Sequence, residues 1–223
     1  MIITKEFEGE MAHIVRNCST NYCKKSLHGH SFKVLVSLKA SALDNAGMIY
    51  DFGLMKGSIK QFINSFDHCA VFWDKDNQEY IDFIKKHSER WISLPFNPSA
   101  EMLSLFFLSG IQSILDCTKM NNNESKIFLD KVQYYETRTG SATAEKEDIV
   151  TMLSVFEMPF ECSQSVTNDW SVELFNWYLD GRHQKKNPET KWFENPKVEQ
   201  PQLPEWYLRT IIEKAGDKLQ VIE

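Results

Sequence analysis

An α+β fold is predicted for this chain, because its extended and helical patterns follow one another in the order β-β-α-α-β-β. Extended patterns lie at 2–15 and 30–39, two helical patterns come next, and further extended patterns lie at 126–137 and 149–157. With 42% hydrophobic and 25% charged residues, the chain has the composition of a globular protein. We therefore expect a sheet with helices packed on it.

The first two strands are predicted to pair with each other. Apolar and polar residues alternate near the start of the chain, and the segment 30–39 places Phe32, Val34, Val36 and Leu38 on one face. Such alternation is typical of strands with one buried face. We expect the two strands to be antiparallel neighbours.

Two helices are predicted between the two pairs of strands. Asp51 can cap a helix that runs to about Phe66. A second helix is predicted to begin at Asn97-Pro98, with Asn as the cap and Pro at the first helical position, and to end in the asparagines at 121–123. A short extra helix is expected between residues 77 and 86.

The composition changes at about residue 158, because most of the prolines and tryptophans of the chain lie after this point. We therefore predict a domain at 1–157 and a C-terminal extension at 158–223 of unknown role. The extension contains two short helical patterns, at 169–180 and 204–215, and its tryptophans are interpreted as packing residues.

The charge and the cysteine content exclude several classes of protein. The chain has 25 Lys and Arg against 31 Asp and Glu, a net charge of -6 that argues against nucleic-acid binding. Its start lacks the basic and then apolar pattern of a secretory signal, and no run approaches 18 apolar residues. Five cysteines with no Cys-x-x-Cys pair fit reduced thiols. We expect a cytoplasmic protein with neither nucleic-acid nor membrane partners.

Three histidines form the first candidate site. His28 and His30 lie two residues apart on a strand and therefore share a face, and His13 ends the strand predicted to pair with it. Three histidines without a fourth protein ligand are typical of a catalytic zinc ion with an open coordination position. The alternative is three hydrogen-bonded histidines at a sheet edge.

Thiol and carboxylate groups supply further candidates. Cys23 precedes two lysines that would favour its thiolate, although Cys18 competes with it on sequence grounds alone. Asp67-His68 is a pair that could relay protons to a thiol, or an ordinary adjacent pair. Glu136, at a strand end, could accept two parallel hydrogen bonds from an amidine-like group, or simply face solvent.

Together these features resemble the 6-pyruvoyltetrahydropterin synthase and 6-carboxytetrahydropterin synthase family. The resemblance rests on the order and spacing of short motifs over residues 3–157. These are Phe7, Ala12-His13, Cys23, Leu27-His28-Gly29-His30-Ser31-Phe32, Gly47-Met48-Ile49-Tyr50-Asp51-Phe52, Asp67-His68, Pro98-Ser99-Ala100-Glu101 and Glu136-Thr137-Arg138-Thr139.

The resemblance implies a tunnelling fold, in which four antiparallel strands carry two helices on one face and subunits join their sheets into a barrel. It also implies a homo-oligomer with active sites between subunits. His13, His28 and His30 would hold zinc, Cys23 would be the base, and Asp67 and His68 would assist it. Glu136 would bind the pterin ring, at the opposite end of the substrate from the metal, or take part in the proton relay.

The reaction implied is that of a zinc-dependent lyase acting on 7,8-dihydroneopterin triphosphate. Leu27 before His-Gly-His, and Ala142 after the Glu-Thr-x-Thr motif, favour the branch that forms 6-carboxytetrahydropterin and acetaldehyde for queuosine synthesis. The alternatives are the 6-pyruvoyl branch, without carbon-carbon cleavage, and a non-catalytic zinc-binding interaction protein. Cys23 together with Asp67-His68 speaks against the last, because a scaffold needs the metal ligands at most.

The chain departs from the family pattern in three places. Four residues separate Cys23 from His28, a spacing intermediate between the two branches. The region 77–91 is longer than a minimal member needs, and the extension at 158–223 has no recognised counterpart.

Overall fold

A computed structural model describes residues 1–151, 160–170 and 193–194, the backbone alone being described at 149–151 and 193–194. It contains nine strands and five α-helices in these parts of the chain, together with 3-10 helices at Leu54–Lys56 and Lys146–Thr151. The strands are β1 Ile2–His13, β2 His28–Ala40, β3 Cys69–Trp73, β4 Trp91–Leu94, β5 Thr118–Lys119, β6 Ile127–Tyr135, β7 Ser141–Glu145, β8 Glu161–Cys162 and β9 Phe193–Glu194. The helices are α1 Asn21–Lys25, α2 Ser58–Asn64, α3 Gln78–His87, α4 Ala100–Cys117 and α5 Gln164–Thr167.

The main sheet has seven strands in the order β7-β6-β2-β1-β3-β4-β8. Its first four strands are antiparallel neighbours, as predicted, and include the pair β1 and β2. The prediction of four strands was incomplete, because β3 and β4 continue the sheet in parallel with β1, and β8 pairs antiparallel with β4. The two parallel strands are short apolar runs, which lack the alternation that identifies a half-buried strand.

The fourth strand of the antiparallel part lies earlier than predicted. The predicted segment 149–157 begins in a 3-10 helix, and its residues from 152 onward lie outside the described part of the chain. The strand itself is β7, which pairs with β6 from Ser141 opposite Tyr135 to Glu145 opposite Lys131. The predicted helix at 204–215 and nearly all of that at 169–180 also lie outside the described residues.

Both long helical predictions are confirmed, but their first residues differ. Asp51 closes a turn by accepting a hydrogen bond from the Gly53 amide, and the helical segment divides into the 3-10 helix and α2. Ser99, not Asn97, caps α4, because its hydroxyl oxygen accepts from the Met102 amide while Asn97 binds elsewhere. The extra helix α3 is present, with Asn77 as its N-cap.

The core lies between one face of the sheet and the helices α2 and α4. Helix α4 packs on β6 and β7, and α2 packs on β1 and on α4. Phe62 and Phe66 of this layer meet Phe106 and Phe107 of α4 at ring-centroid distances of 4.8–5.8 Å. The opposite face of β1 and β2 carries exposed polar side chains, among them Glu6 and Lys33 at 2.9 Å.

Helix α4 is the one described helix that is long and apolar enough to cross a membrane by length and composition. Counting uninterrupted apolar runs in the sequence misses it, because serines and Gly110 interrupt the helix. Just over half of it is buried against the sheet and α2, and a core helix of a soluble protein meets the same criterion.

Candidate metal centre and active site

The three histidines meet where β1 ends and β2 begins, on the face of the sheet that carries the helices. The register pairs His13 with His28 and Met11 with His30. Because His28 and His30 are two residues apart, both point to the face on which His13 is buried. Their ligand nitrogens all lie within 4.8 Å of one another, and their ring centroids are 4.7–5.1 Å apart.

Backbone carbonyl groups orient two of the imidazoles. The Nδ1 of His13 lies 2.8 Å from the Pro98 oxygen, and the Nδ1 of His28 lies 2.9 Å from the Ser26 oxygen. A carbonyl oxygen can only accept, so each Nδ1 must carry the proton and each Nε2 retains a lone pair. Metal-binding histidines in proteins commonly have this arrangement.

The unpaired nitrogens in this cluster fit a metal ion. The Nε2 atoms of His13 and His30 are buried and have no hydrogen-bond partner among the described residues. A buried polar group without a partner is costly, and coordination to a metal satisfies it. Three imidazole nitrogens match the protein ligands of a catalytic zinc site with an open position.

The electrostatics of the cluster favour neutral imidazoles. Burial, followed by the charge of His28, lowers the pKa of His13 from 6.5 to about 4. Burial also lowers the pKa of His30, although the Glu136 carboxylate partly opposes this. Neutral imidazole is the form that binds a metal, so the lowered pKa values of His13 and His30 favour metal binding at neutral pH.

Glu136 lies beside the histidines. We had expected it at the opposite end of the substrate from the metal ligands. Its Oε1 is 3.3 Å from the Nε2 of His13 and 4.0 Å from that of His30. The sheet explains this position: Tyr135 pairs with Lys33, so the next residue is level with Phe32 and shares the inner face with the buried Tyr134. The carboxylate is about one quarter exposed and can still meet a ligand.

Cys23 lies on α1, in the loop that joins β1 to β2. Its backbone oxygen accepts a hydrogen bond from the Val15 amide, which brings α1 against the end of β1, two residues after His13. Its half-buried thiol is not part of the group of ligand atoms formed by the histidines. The competitor, Cys18, donates its thiol to the Thr20 oxygen at 3.3 Å.

Asp67 and His68 lie elsewhere in the chain, immediately before β3. His68 Nδ1 is 3.0 Å from Asp67 Oδ2, and the imidazole is 74% exposed. The pair borders an open pocket of about 330 Å³ that the three histidines do not line. The residues that line the pocket are Gln61, Asn64, Asp67, His68, Arg90 and Asp169. His13 pairs with Val71 on β3, three residues after His68, and none of the three histidines lines the pocket beside the pair.

Sequence reasoning missed the groups that support the site. Asn97 accepts the Arg16 amide at 2.9 Å and donates to the Arg16 oxygen, which holds the loop after β1 against the start of α4 and next to Pro98. The Arg16 side chain donates to the Lys24 oxygen on α1 and to Asp76. Carbonyl partners leave no pattern in a sequence, whereas the Asn97-Pro98 pattern is visible in the sequence but predicts a helix cap and not a contact with Arg16.

Comparison with known proteins relates these features to one family. The family model described as 6-pyruvoyl tetrahydropterin synthase matches residues 2–147. A Helicobacter pylori J99 protein named 6-carboxy-5,6,7,8-tetrahydropterin synthase is 39% identical over 149 residues, which are 67% of this chain and 74% of that protein. The protein of the same name from H. pylori 26695 is 35% identical over 188 residues, 82% of this chain and 94% of its own length.

The alignment with the H. pylori 26695 protein is longer than the predicted domain at 1–157. It therefore includes part of the predicted extension. Among solved structures, the crystal structure of an uncharacterized protein from Wolinella succinogenes matches with a TM-score of 0.50. It is 19% identical and covers 66% of this chain and 98% of that one, which supports the fold alone. The predicted α+β tunnelling fold is confirmed.

Proposed function

We propose, because this chain belongs to the 6-pyruvoyl tetrahydropterin synthase family, that it converts 7,8-dihydroneopterin triphosphate and one water molecule to 6-carboxy-5,6,7,8-tetrahydropterin, acetaldehyde and triphosphate. The names of the two H. pylori relatives support the carboxy branch over the pyruvoyl branch. The observation that carries the proposal is the cluster of three histidines whose ligand nitrogens lie within 4.8 Å of one another, with the Nε2 atoms of His13 and His30 buried and without a hydrogen-bond partner among the described residues.

The metal that fits this cluster is Zn²⁺, held by His13, His28 and His30. When bound, it would act as a Lewis acid that polarises the side-chain hydroxyl groups of the substrate. The hydrogen bonds from His13 to Pro98 and from His28 to Ser26 would keep both rings in the ligating tautomer throughout the reaction.

Proton transfer is assigned to Cys23 with the Asp67–His68 pair. Cys23 on α1, which lies against the end of β1, acts as the base that removes protons from the carbon atoms of the substrate side chain. Asp67 orients the exposed His68 imidazole through the contact at Nδ1, so that Nε2 can exchange a proton with the thiol or with the substrate.

Glu136 is assigned to pterin binding or to the relay. A pterin presents an exocyclic amine beside a ring N–H, and one carboxylate can accept from both donors. The 3.3 Å approach to His13 means that the pterin would lie close to the metal ligands.

The separation of the two groups of residues favours a homo-oligomer. The Asp67–His68 pair borders an open pocket that the histidines of the same chain do not line, and we propose that a second subunit completes each active site at this pocket. We place this oligomer in the cytoplasm, in queuosine and other 7-deazapurine synthesis, with the pterin triphosphate as its small-molecule partner.

The metal assignment is tested with His28→Ala, and His87→Ala on the exposed end of α3 is the matched control. We expect His28→Ala to lose most of its zinc and its turnover of the triphosphate, and the control to retain both. Full zinc content in His28→Ala would refute the ligand set. A zinc-loaded wild-type chain without turnover would favour the non-catalytic interaction protein.

A further inference from the structure

The first part of the C-terminal extension is attached to the Asp67–His68 segment through Arg90, which directly precedes β4. The Arg90 Nε donates to the Asp67 oxygen at 2.9 Å. Its Nη1 donates to the Ser165 oxygen at 3.0 Å and to the Asp169 carboxylate at 2.8 Å. One guanidinium therefore connects the backbone at Asp67 with two residues of the extension.

All the donors of Arg90 are used inside the protein. Besides those three hydrogen bonds, Nη2 donates to the Asn64 and Ser65 oxygens at 3.4 and 3.5 Å. Five acceptors therefore match the five N–H groups of a guanidinium. Although Arg90 borders the pocket, it has no donor left for a substrate phosphate, so its role is to hold the chain and not to bind an anion.

A second contact joins the extension to the same segment. The indole of Trp170, 8% exposed, donates to the buried Ser65 hydroxyl, two residues before Asp67. The segment 160–170 is itself fixed on the sheet, because β8 pairs with β4 and the Ser163 amide donates to the Trp91 oxygen.

The segment needs such support, because His68 has a left-handed backbone with φ of 59°. This conformation is unfavourable for a residue other than glycine and persists where neighbouring contacts enforce it. On the β1 side, the His68 amide donates to the Glu10 oxygen and Asp67 Oδ1 accepts the Glu10 amide. On the other side, the contacts come from Arg90 and Trp170.

We infer that residues 163–170 of the extension, acting through Arg90 and Trp170, position the Asp67–His68 pair for proton transfer. Arg90 and Trp170 are positioning residues, and the first part of the extension belongs functionally to the active site. This inference rests on the proposed function, in which His68 exchanges protons.

The test compares Arg90→Lys and Trp170→Phe with wild type in the zinc-loaded full chain. Lysine keeps the charge but cannot reach five acceptors, and phenylalanine keeps the ring but removes the donor. We expect kcat to fall at least tenfold in Arg90→Lys and at least threefold in Trp170→Phe, with KM and zinc content within twofold of wild type. The control is Lys85→Met, which removes the 3.0 Å ion pair with Glu161 on β8 and should leave kcat unchanged.

A double-mutant cycle with His68→Ala separates positioning from general stabilisation. If Arg90 acts through His68, then adding Arg90→Lys to His68→Ala should change kcat less than twofold. An equal fall of kcat in both backgrounds, or wild-type kcat in both single variants, would overturn the inference. A rise in KM alone would also overturn it by making Arg90 a binding residue. If Arg90→Lys does not fold, Trp170→Phe decides in the same cycle. Wild-type kcat in His68→Ala alone would instead refute the catalytic role of the pair.

Discussion

At the scale of single residues, burial keeps His13 ready for a metal, and burial also makes the zinc-free protein sensitive to acid. The unfolded chain binds a proton at His13 below its ordinary pKa of 6.5, whereas the folded chain resists protonation until about 4. Between these values the unfolded state binds more protons, so the free energy of unfolding decreases as the pH falls. The lowered pKa of His30 acts in the same direction.

We predict that His13 contributes about 3 kcal/mol to this loss of stability between pH 6.5 and pH 4. Urea unfolding of the zinc-free protein across this range, compared with His13→Asn, measures the contribution as a difference. The variant should show a correspondingly flatter dependence on pH. The same slope in both proteins would show that His13 is not the group responsible.

The two loop cysteines are expected to differ sharply in their effect on catalysis. Cys23→Ala should retain zinc and fold but lose at least about 100-fold in turnover, the usual contribution of a general acid or base. Cys18→Ala is the matched control and should leave the turnover rate nearly unchanged, because the Cys18 thiol already donates a hydrogen bond to the Thr20 oxygen. Steady-state rates on the triphosphate test this, and a reversal of the two results would make Cys18 the base.

At the scale of elements, Gly110 allows α4 to approach α2. A Cβ built at this position overlaps the Phe62 ring. Alanine is the better helix former by about 1 kcal/mol, but overpacking a core costs about 1–3 kcal/mol. We predict that Gly110→Ala lowers the free energy of unfolding, whereas Ser109→Ala, the neighbouring control, does not. Denaturant unfolding that shows Gly110→Ala to be as stable as wild type would contradict this packing.

The elements that could be predicted from sequence are those with a strong local pattern. β1, β2 and β6 alternate, and α4 is long and apolar, so all four were found with errors at their ends. The short strands β3 and β4 were missed because a buried parallel strand has no alternation. Ser99 replaced Asn97 as the cap of α4 because a distant contact, with Arg16, took the asparagine side chain.

For the site as well, the features that could be predicted are those that follow from local sequence patterns. The grouping of His13, His28 and His30 could be predicted, because it follows from strand periodicity and antiparallel pairing. The position of Glu136 could not, since it depends on which residue of β2 lies opposite Tyr135. The five acceptors of Arg90 could not either, because four of them are backbone carbonyl groups that any residue provides.

At the scale of the whole molecule, the histidine cluster lies at one end of the β1–β2 pair, and the Asp67–His68 pair lies immediately before β3. In the proposed oligomer the two contribute to one reaction, and the extension supports the Asp67–His68 pair from the edge of the sheet formed by β4 and β8. The chemistry expected of that assembly is cleavage of the pterin side chain.

Mass spectrometry of the products formed from 7,8-dihydroneopterin triphosphate by the zinc-loaded chain tests this most directly. We predict 6-carboxy-5,6,7,8-tetrahydropterin together with equal amounts of acetaldehyde and triphosphate, and none of these from His28→Ala. A 6-pyruvoyl product without acetaldehyde, or recovery of unchanged substrate, would contradict the account.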